Sequence, residues 1–347
     1  MEYKRLREML SELCSLPGPS GFERPVALKA AELMKPLVDE VNIDRMGNVI
    51  GIRRCGRPNA KSILLDAHLD EIGLIVIGSE EGFLRFRSIG GVDPRMLPNR
   101  EVTILTNPPL FGVVACLPPH VLQAGDDDKS APLEELYIDT GLSEEDVQRL
   151  IPAGTPCVFR DSCFALGTQQ MCGKAMDDRA CFVTLLRAAE MLKDTALDVD
   201  LYILGSTREE VSHGGAAVAA WALAPDCCIA VDVTHGKTPD SPKYRTNDLG
   251  GGPSVGVGPN MTRWMTERML AKAKEKAIPF QYDVMAGATG TNGWDMQIAR
   301  EGIATHVLSL PLKYMHSPVE TLDLADVEAV AALIAAFVEG LGEEALA

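Results

Sequence analysis

Four apolar runs of strand length, each followed closely by acidic or histidine residues, constrain the fold of this chain most strongly. The runs are residues 62–65, 201–204, 228–231 and 306–310. In open α/β sheets, binding sites form beyond the carboxyl ends of the strands. The four runs therefore predict one sheet whose polar edge gathers side chains from distant parts of the chain.

Helical patterns alternate with strand patterns in the last part of the chain, as expected for an α/β domain. We expect helices at 178–193, 215–223, 260–276 and 324–341, and strands at 200–207, 227–233 and 304–310. The N-terminal part predicts two further helices, followed by strands within residues 41–52 and at 62–65.

The pattern changes between residues 73 and 164, where helical periodicity almost vanishes. Short β-type runs separated by Gly and Pro replace it, and such runs are typical of a small barrel. We therefore expect an α/β fold in which a discontinuous α/β/α domain, residues 1–72 and 165–347, is interrupted by a β-rich domain at residues 73–164.

The composition excludes several classes of partner. Of the 347 residues, 46% are hydrophobic and 24% are charged, which indicates a folded chain long enough for two domains. The 33 basic and 49 acidic residues give a net charge of −16, and such a surface repels nucleic acid and anionic membranes. We therefore expect neither nucleic-acid nor membrane partners.

The cysteines indicate that the chain resides in a reducing compartment. Nine are present, without any C-x-x-C pair, and an odd number in a chain of this length argues for reduced thiols rather than a disulfide framework. The sequence shows no signal peptide and no apolar span of membrane-crossing length. We expect a soluble cytoplasmic protein.

The polar residues around the apolar runs have the composition of a two-metal hydrolase. Two zinc-like cations about 3.5–4 Å apart need histidine nitrogens and carboxylate oxygens, and one carboxylate can bridge both ions. A further carboxylate must accept a proton from water. The candidates are Asp66, His68, Asp70, Asp177, Glu209, Glu210, Asp232 and His316.

Five motifs stand in order along nearly the whole chain. They are DAHLDEIG at 66–73, IGGVDPR at 89–95, KAMDDR at 174–179, EEV at 209–211 and YMHSPVE at 314–320. Together they resemble the motifs of the tetrahedral (TET) and glutamyl aminopeptidases, dinuclear metallo-aminopeptidases of which some carry the label cellulase or endoglucanase. The resemblance implies a zinc-peptidase-like α/β/α catalytic domain with an inserted β domain that serves dimerisation and assembly.

The resemblance also implies two divalent metal ions per subunit, Zn²⁺ or Co²⁺, with Mn²⁺ as an alternative. His68 and Asp232 would hold one ion, Glu210 and His316 would hold the other, and Asp177 would bridge them.

Two acids that hold no metal would then have catalytic roles. Glu209 would be the general base that deprotonates the water and later protonates the leaving amine, and Asp70 would fix the tautomer of His68. The implied activity is removal of N-terminal residues from peptides. The implied assembly is a homo-oligomer in which dimers build a dodecamer.

Two segments depart from the pattern common in that family. Residues 212–216 read SHGGA where the family commonly has Gly-x-Arg-Gly-Ala, and residues 290–295 read GTNGWD in place of the commoner Gly-Thr-Asp-Ala. His213 and Trp294 therefore have no assigned role. His120 either reaches a neighbouring subunit or closes a turn, and Asp178 is expected to cap the helix that follows it.

Two other functions compete with the aminopeptidase. The paired acids and the label on relatives suggest a glycoside hydrolase, but that chemistry uses no histidines, and aromatic residues, which stack on sugars, make up only 5% of the chain. A non-catalytic, shell-forming scaffold would have lost ligands, and none is missing. A metal-dependent aminopeptidase is therefore the leading interpretation.

Overall fold

The computed structural model describes residues 3–121, 131–160, 163–239 and 241–342. Within these ranges the chain forms one large mixed sheet with helices against both faces, and one smaller closed barrel.

The secondary structure follows the predicted alternation. Helices α1 to α9 are Lys4–Cys14, Arg24–Met34, Glu144–Leu150, Met176–Leu192, Glu209–Ser212, Gly214–Leu223, Arg263–Glu275, Gly293–Met296 and Leu324–Glu339. Strands β1 to β17 are Glu40–Ile43, Val49–Arg53, Ser62–His68, Gly73–Glu80, Phe83–Ile89, Glu101–Ile104, Leu110–Ala115, Tyr137–Asp139, Pro156–Phe159, Phe164–Leu166, Gln170–Gly173, Asp200–Ser206, Cys227–His235, Ser254–Val257, Gln281–Val284, Ala304–Lys313 and Glu320–Asp323. In the part of the chain that the structure describes, no helix combines the length and apolar character needed to cross a bilayer.

Four strands at the centre of the large sheet run parallel, in the order β12, β3, β13, β16. They contain the four apolar runs of the sequence, and nearly all of their residues are buried. Strands covered on both faces need such continuous apolar runs. The prediction of one sheet is confirmed, although β13 continues past Asp232 to His235 instead of ending there.

Helices cover both faces of this sheet. Residues of α1, α2, α4, α7 and α9 pack in one core, and residues of α6 and α8 pack in a second core. Helix α4 is central: Phe182 and Leu185 are fully buried, and burying side chains of this size stabilises the fold by roughly 1.5–3 kcal/mol each. This is the predicted α/β/α arrangement.

The insert forms a closed barrel in the strand order β4, β5, β8, β7, β6, β9. Its own core includes Leu74, Leu84, Val102, Val114 and Ile138. Closure leaves no unpaired strand edge, which lets a small all-β unit stand beside the large sheet. The predicted α/β fold with an inserted small barrel is confirmed.

The sequence pattern misses the shortest strands of the large sheet. These are β10, β11, β14, β15 and β17, of three or four residues each. The helix expected at 260–276 also begins later, at Arg263, because Thr262 is still extended (φ −66°, ψ 117°). Strands of three or four residues depend on pairing partners that lie far away in the sequence.

Candidate active site and metal centre

The candidate site lies at the carboxyl-terminal edge of the parallel strands. His68 is the last residue of β3, and Asp232 lies inside β13. Glu209 and His316 follow β12 and β16 shortly after these strands end, and Asp177 lies at the start of α4. All five side chains line one cavity of about 270 Å³, so residues from distant parts of the chain do meet in one place.

Both histidines turn the same ring nitrogen toward one carboxylate. The Nδ1 atom of His68 lies 3.1 Å from the carbonyl oxygen of Asp70, and Nδ1 of His316 lies 3.0 Å from that of Gly91. A carbonyl oxygen only accepts hydrogen bonds, so Nδ1 of each ring carries a proton, and Nε2 is the nitrogen left to bind a metal once the ring is neutral. These Nε2 atoms face Asp177, at 3.1 Å from Oδ1 for His68 and 3.3 Å from Oδ2 for His316.

Asp177 thus lies between the two histidines, with one carboxylate oxygen facing each. Burial opposes ionisation of Asp177, but hydrogen bonds with His316 and His68 outweigh it and lower the pKa of the carboxyl. The backbone N–H of Asp177 donates to Glu320 Oε2 at 3.1 Å, and that of His316 donates to Glu320 Oε1 at 2.9 Å. Glu320 therefore holds two candidate ligands at a fixed separation, a role that its place in the motif at 314–320 did not reveal.

Glu209 and Glu210 are neighbours in sequence, yet both side chains line the cavity. Arg208 has a left-handed backbone (φ 61°), which separates β12 from α5 and turns the chain at this point. The carboxylate of Asp70 accepts the first N–H groups of α5, with Glu209 N at 3.0 Å and Glu210 N at 3.1 Å. A helix start, rather than a continuing strand, lets two adjacent glutamates reach one site.

Asp70 contacts His68 more closely through its backbone than through its side chain. Its carboxylate Oδ1 lies 3.5 Å from His68 Nδ1, whereas its own carbonyl oxygen is closer, at 3.1 Å. Burial opposes ionisation of Asp70, but hydrogen bonds with His68 and Ser20 lower the pKa of this carboxyl. Asp70 therefore orients the imidazole mainly through its backbone and the start of α5 through its side chain.

Asp178 does not cap the following helix as predicted. The backbone of Asp177 and Asp178 is non-helical, with ψ of 104° and 20°. The buried Oδ2 atom of Asp178 accepts the backbone N–H of His68 at 3.1 Å. The prediction is wrong because this buried N–H at the end of β3 needs an acceptor, and Asp178 supplies it. The contact ties the start of α4 to β3.

Acidic side chains are concentrated in the cavity. Burial, followed by the charge of Asp177, raises the pKa of Glu210 to about 10. Burial and the charge of Glu209 raise the pKa of Asp232 well above its usual value. Carboxylates packed in this way repel one another when ionised unless a cation lies between them. The electrostatics of the cavity therefore favour a bound cation.

The donor atoms are close enough to hold metal ions. Within the described ranges, three overlapping groups have their ligand atoms within 4.8 Å of one another: His68 with Glu209 and Asp232, His68 with Asp177 and Glu210, and Asp177 with Asp178 and Asp232. Imidazole nitrogens and carboxylate oxygens suit Zn²⁺, and mixed sites of this type also accept other divalent ions. The residues present therefore fit the divalent metals that the resemblance implies.

His213 contacts Glu209, although the sequence patterns assigned it no role. Its Nε2 atom lies 3.2 Å from Glu209 Oε1, and its Nδ1 atom lies 2.6 Å from Asp295 Oδ2. The hydrogen bond to Glu209, assisted by the one to Asp295, raises the pKa of His213 to about 9. The departure of residues 212–216 from the common family pattern was the available signal.

Other candidates lie outside the ligand groups found in the described ranges. The carboxylate of Asp66 accepts a hydrogen bond from the side chain of Asn292 at 2.8 Å. Trp294 is partly exposed on α8. His120 is exposed on the short 3-10 turn Pro119–Val121 of the insert. Asp66 therefore supports α8 from β3, although it alternates with His68 along the strand.

Comparison with known proteins decides the family. A model of the family described as M42 glutamyl aminopeptidase matches residues 47–333. The chain belongs to this family. The lysyl aminopeptidase of Pyrococcus furiosus is 35% identical over 340 residues, which cover 96% of this chain and 97% of that protein. This member of the M42 family is an aminopeptidase, a hydrolase of peptide bonds, as the motifs led us to expect.

Solved structures of M42-type aminopeptidases share the fold of this family member. The aminopeptidase APDkam598 of Desulfurococcus kamchatkensis superposes with a TM-score of 0.92 at 37% identity, covering 99% of this chain and 96% of that one. The TET1 peptidase of Pyrococcus horikoshii has a TM-score of 0.84 at 31% identity, covering 97% and 100%. These relatives do not favour the glycoside hydrolase alternative.

Proposed function

We propose that this aminopeptidase works through two divalent metal ions per subunit, Zn²⁺ or Co²⁺, with Mn²⁺ as an alternative. His68 and Asp232 would hold one ion, Glu210 and His316 the other, and Asp177 would bridge them. The observation that carries the proposal is the placement of Asp177, whose two oxygens face the Nε2 atoms of two histidines at 3.1 and 3.3 Å.

The chemistry divides between the ions and the chain. When bound, two such ions supply a polarised carbonyl and a water of lowered pKa. Glu209 would accept a proton from the attacking water and return it to the leaving amine. Its position beside the proposed ligand Glu210, at the start of α5, places the carboxylate in the cavity wall. Asp70 would keep both His68 and this helix start in place.

The same cavity would recognise the free end of a peptide. An N-terminal α-ammonium group is positive, and the cavity is lined by the acids Asp177, Glu209, Glu210 and Asp232. An acid-lined cavity attracts this group and disfavours a negatively charged one. The substrates would therefore be peptides with an unblocked amino terminus.

Metal removal and two variants test this proposal. A panel of aminoacyl-p-nitroanilides is hydrolysed before and after chelation, and again after Zn²⁺, Co²⁺ or Mn²⁺ is added back. Chelation should abolish hydrolysis, and a suitable ion should restore it. Glu209→Gln should keep its metal but lose ~10² to 10⁴ in turnover, whereas His68→Ala should lose metal occupancy.

Some results of these assays would contradict the proposed function. Hydrolysis that survives complete removal of metal would refute a metal-dependent mechanism. Wild-type turnover by Glu209→Gln would place the base elsewhere. Carboxymethylcellulose serves as the comparison substrate, because its hydrolysis would support the glycoside hydrolase alternative instead.

We also propose that the chain forms a homo-oligomer in which dimers build a dodecamer. The P. horikoshii relative can assemble into a tetrahedron or a large octahedral shell, and a second related structure is a dodecamer. The catalytic domain would comprise residues 1–72 and 165–347, and the insert at 73–164 would serve assembly. The particle mass in solution tests the assembly.

Nine cysteines without a disulfide support a cytoplasmic location.

A further inference from the structure

His213 lies between the proposed base and a second acid. It occupies the junction of α5 and α6 in a left-handed conformation (φ 52°). From there its ring reaches Glu209 Oε1 with Nε2, at 3.2 Å, and Asp295 Oδ2 with Nδ1, at 2.6 Å. The three side chains form a continuous row of polar contacts, of which Glu209 and His213 line the cavity.

This row joins two segments that lie far apart in the chain. His213 belongs to the segment 212–216 and Asp295 to the segment 290–295. The two segments touch through the short Nδ1 contact. Asp295 therefore supplies a partner for His213 from a distant part of the chain.

The row is held in place at the Asp295 end, away from Glu209. Asp295 lies on α8, the short helix that begins right after the buried residue Asn292. The side-chain amide of Asn292 donates to Asp66 Oδ2 at 2.8 Å and to Ser206 Oγ at 2.9 Å. These partners are on β3 and β12. Helix α8 is therefore fixed to the central strands, and Asp295 with it.

The row also distinguishes the two oxygens of Glu209. His213 engages Oε1. The other oxygen, Oε2, lies 3.7 Å from His68 Nε2, on the side of the proposed metal ligands. A carboxylate held through one oxygen loses its freedom to rotate and keeps the second oxygen directed at the ligands.

We propose that His213 and Asp295 act as a positioning pair for Glu209, leaving Oε2 as the oxygen that exchanges the proton. The inference rests on the proposed role of Glu209 as base. In this role His213 works through Glu209. Asp295 works one step further away, through His213.

Four variants test the pair by kinetics. His213→Ala and Asp295→Ala should each lower kcat by about 10–100-fold, with little change in KM. His213→Gln should recover part of the loss, because its amide can still donate to Glu209, and Asp295→Asn should recover part because its carbonyl can still accept from His213. The double alanine variant should lose no more than one single variant, because both act along one path.

Two measurements other than turnover separate positioning from a merely structural role. The amount of zinc bound, and its affinity, should be unchanged in His213→Ala. In the metal-free wild type, proton NMR should show a strongly deshielded His213 Nδ1–H, and this resonance should be absent from His213→Ala and Asp295→Ala. Gln297→Ala, a substitution just after α8 that leaves both residues of the pair in place, is the control and should behave as wild type.

The outcomes distinguish this inference from the proposed function. Unchanged kcat in His213→Ala, additive losses in the double variant, or a missing Nδ1–H resonance would overturn the positioning pair while leaving the metal mechanism intact. Loss of zinc from His213→Ala would also overturn it, since His213 would then be a ligand. Full activity of Glu209→Gln would refute the base itself, whatever the resonance shows.

Discussion

At the scale of single residues, the backbone orients the two histidines that we propose as metal ligands. The carbonyl oxygens of Asp70 and Gly91 accept from Nδ1 of His68 and His316. Both acceptors are backbone atoms rather than side chains. The orientation of each ring is therefore a property of the local chain path, and Nε2 of both rings faces Asp177.

A third histidine, His306, is expected to make the stability of the folded protein sensitive to acid. It is fully buried in β16, and burial lowers the pKa of His306 to about 4. In an unfolded chain the pKa of histidine is about 6.5. As the pH falls from about 6.5 to about 4, the unfolded state binds a proton at this histidine and the folded state does not. The unfolding free energy therefore decreases in this pH range.

Replacing this histidine should remove that loss. The difference in pKa corresponds to about 3 kcal/mol of unfolding free energy between neutral pH and pH 4. Urea unfolding of His306→Leu should therefore show a smaller decrease between pH 7 and pH 4.5 than the wild type. Chelator-treated protein is used, so that release of metal at low pH does not contribute.

The exposed His235 provides the control for this measurement. His235→Leu removes an imidazole from the end of β13 without changing a buried group, so its pH dependence should match that of the wild type. Equal losses of stability in wild type and His306→Leu would contradict the prediction and show that other groups cause the acid sensitivity.

Residue types were easier to predict than residue partners. Two histidines and several acids beside apolar runs were sufficient to suggest His68, Asp177 and His316 as neighbours. The contact between His213 and Asp295 could not be predicted, because it joins two distant segments whose relative position depends on tertiary packing. Asp178 shows the same limit: its sequence position suits a helix cap, but a strand-end N–H competes successfully for its carboxylate.

At the scale of elements, the turn from β12 into α5 and α6 determines where the glutamates lie. Asn48 is fully buried beside this turn. Its Oδ1 accepts the backbone N–H of Thr207 at 3.0 Å, and its Nδ2 donates to the carbonyl oxygen of Gly215 at 3.0 Å. The two segments approach so closely that a Cβ on Gly215 would lie 2.2 Å from the carbonyl oxygen of Thr207.

Removing the Asn48 amide should loosen this turn. Asn48→Ala leaves buried backbone groups of Thr207 and Gly215 without these partners, which should cost about 1–3 kcal/mol of unfolding free energy per unsatisfied group. Because Glu209 follows directly on the turn, turnover of aminoacyl anilides should fall as well. Urea unfolding and steady-state kinetics measure the two effects.

Asn42 on β1 is an exposed asparagine close to Asn48 in sequence. Asn42→Ala should change neither stability nor turnover appreciably, since its side chain is not part of the turn. If Asn48→Ala behaved like this control, the position of Glu209 would have to depend on other contacts, such as those of Asp70 with the first N–H groups of α5.

Prediction of helices and strands succeeded for segments whose own residue pattern identifies the element. The central strands have long apolar runs, and α4 and α9 have buried residues at helical spacing. Strands such as β14 and β15 do not, because they are short and are defined by pairing with each other and with β16. Their existence depends on strands already assembled, which a local pattern does not contain.

At the scale of the whole molecule, the barrel insert reaches into the site. The segment 89–95 leaves β5 and passes the cavity, where the Gly91 carbonyl oxygen contacts His316 Nδ1 at 3.0 Å. The insert was predicted from its change of pattern, but this contact was not, because the path of the segment depends on how the barrel packs beside the large sheet. Residues of both proposed domains, catalytic and assembly, therefore position one proposed metal ligand, His316.

A substitution in the insert should consequently weaken metal binding. A Cβ at position 91 would lie 2.8 Å from His316 Nδ1 and 3.0 Å from its Cε1, so Gly91→Ala should displace the imidazole and lengthen its contacts. We expect zinc affinity to fall by about 10–100-fold, as for other changes around metal ligands. Titration against a competing chelator measures the affinity directly.

Gly78→Ala separates this effect from damage to the barrel. Gly78 lies in β4 of the same insert, and a Cβ there would meet nothing within 4 Å, so this variant should bind zinc as the wild type does. If both variants lost affinity, general disturbance of the insert would be responsible. If neither did, His316 would hold its position without Gly91. Loss in Gly91→Ala alone would show that the insert acts on the metal centre through this one carbonyl contact.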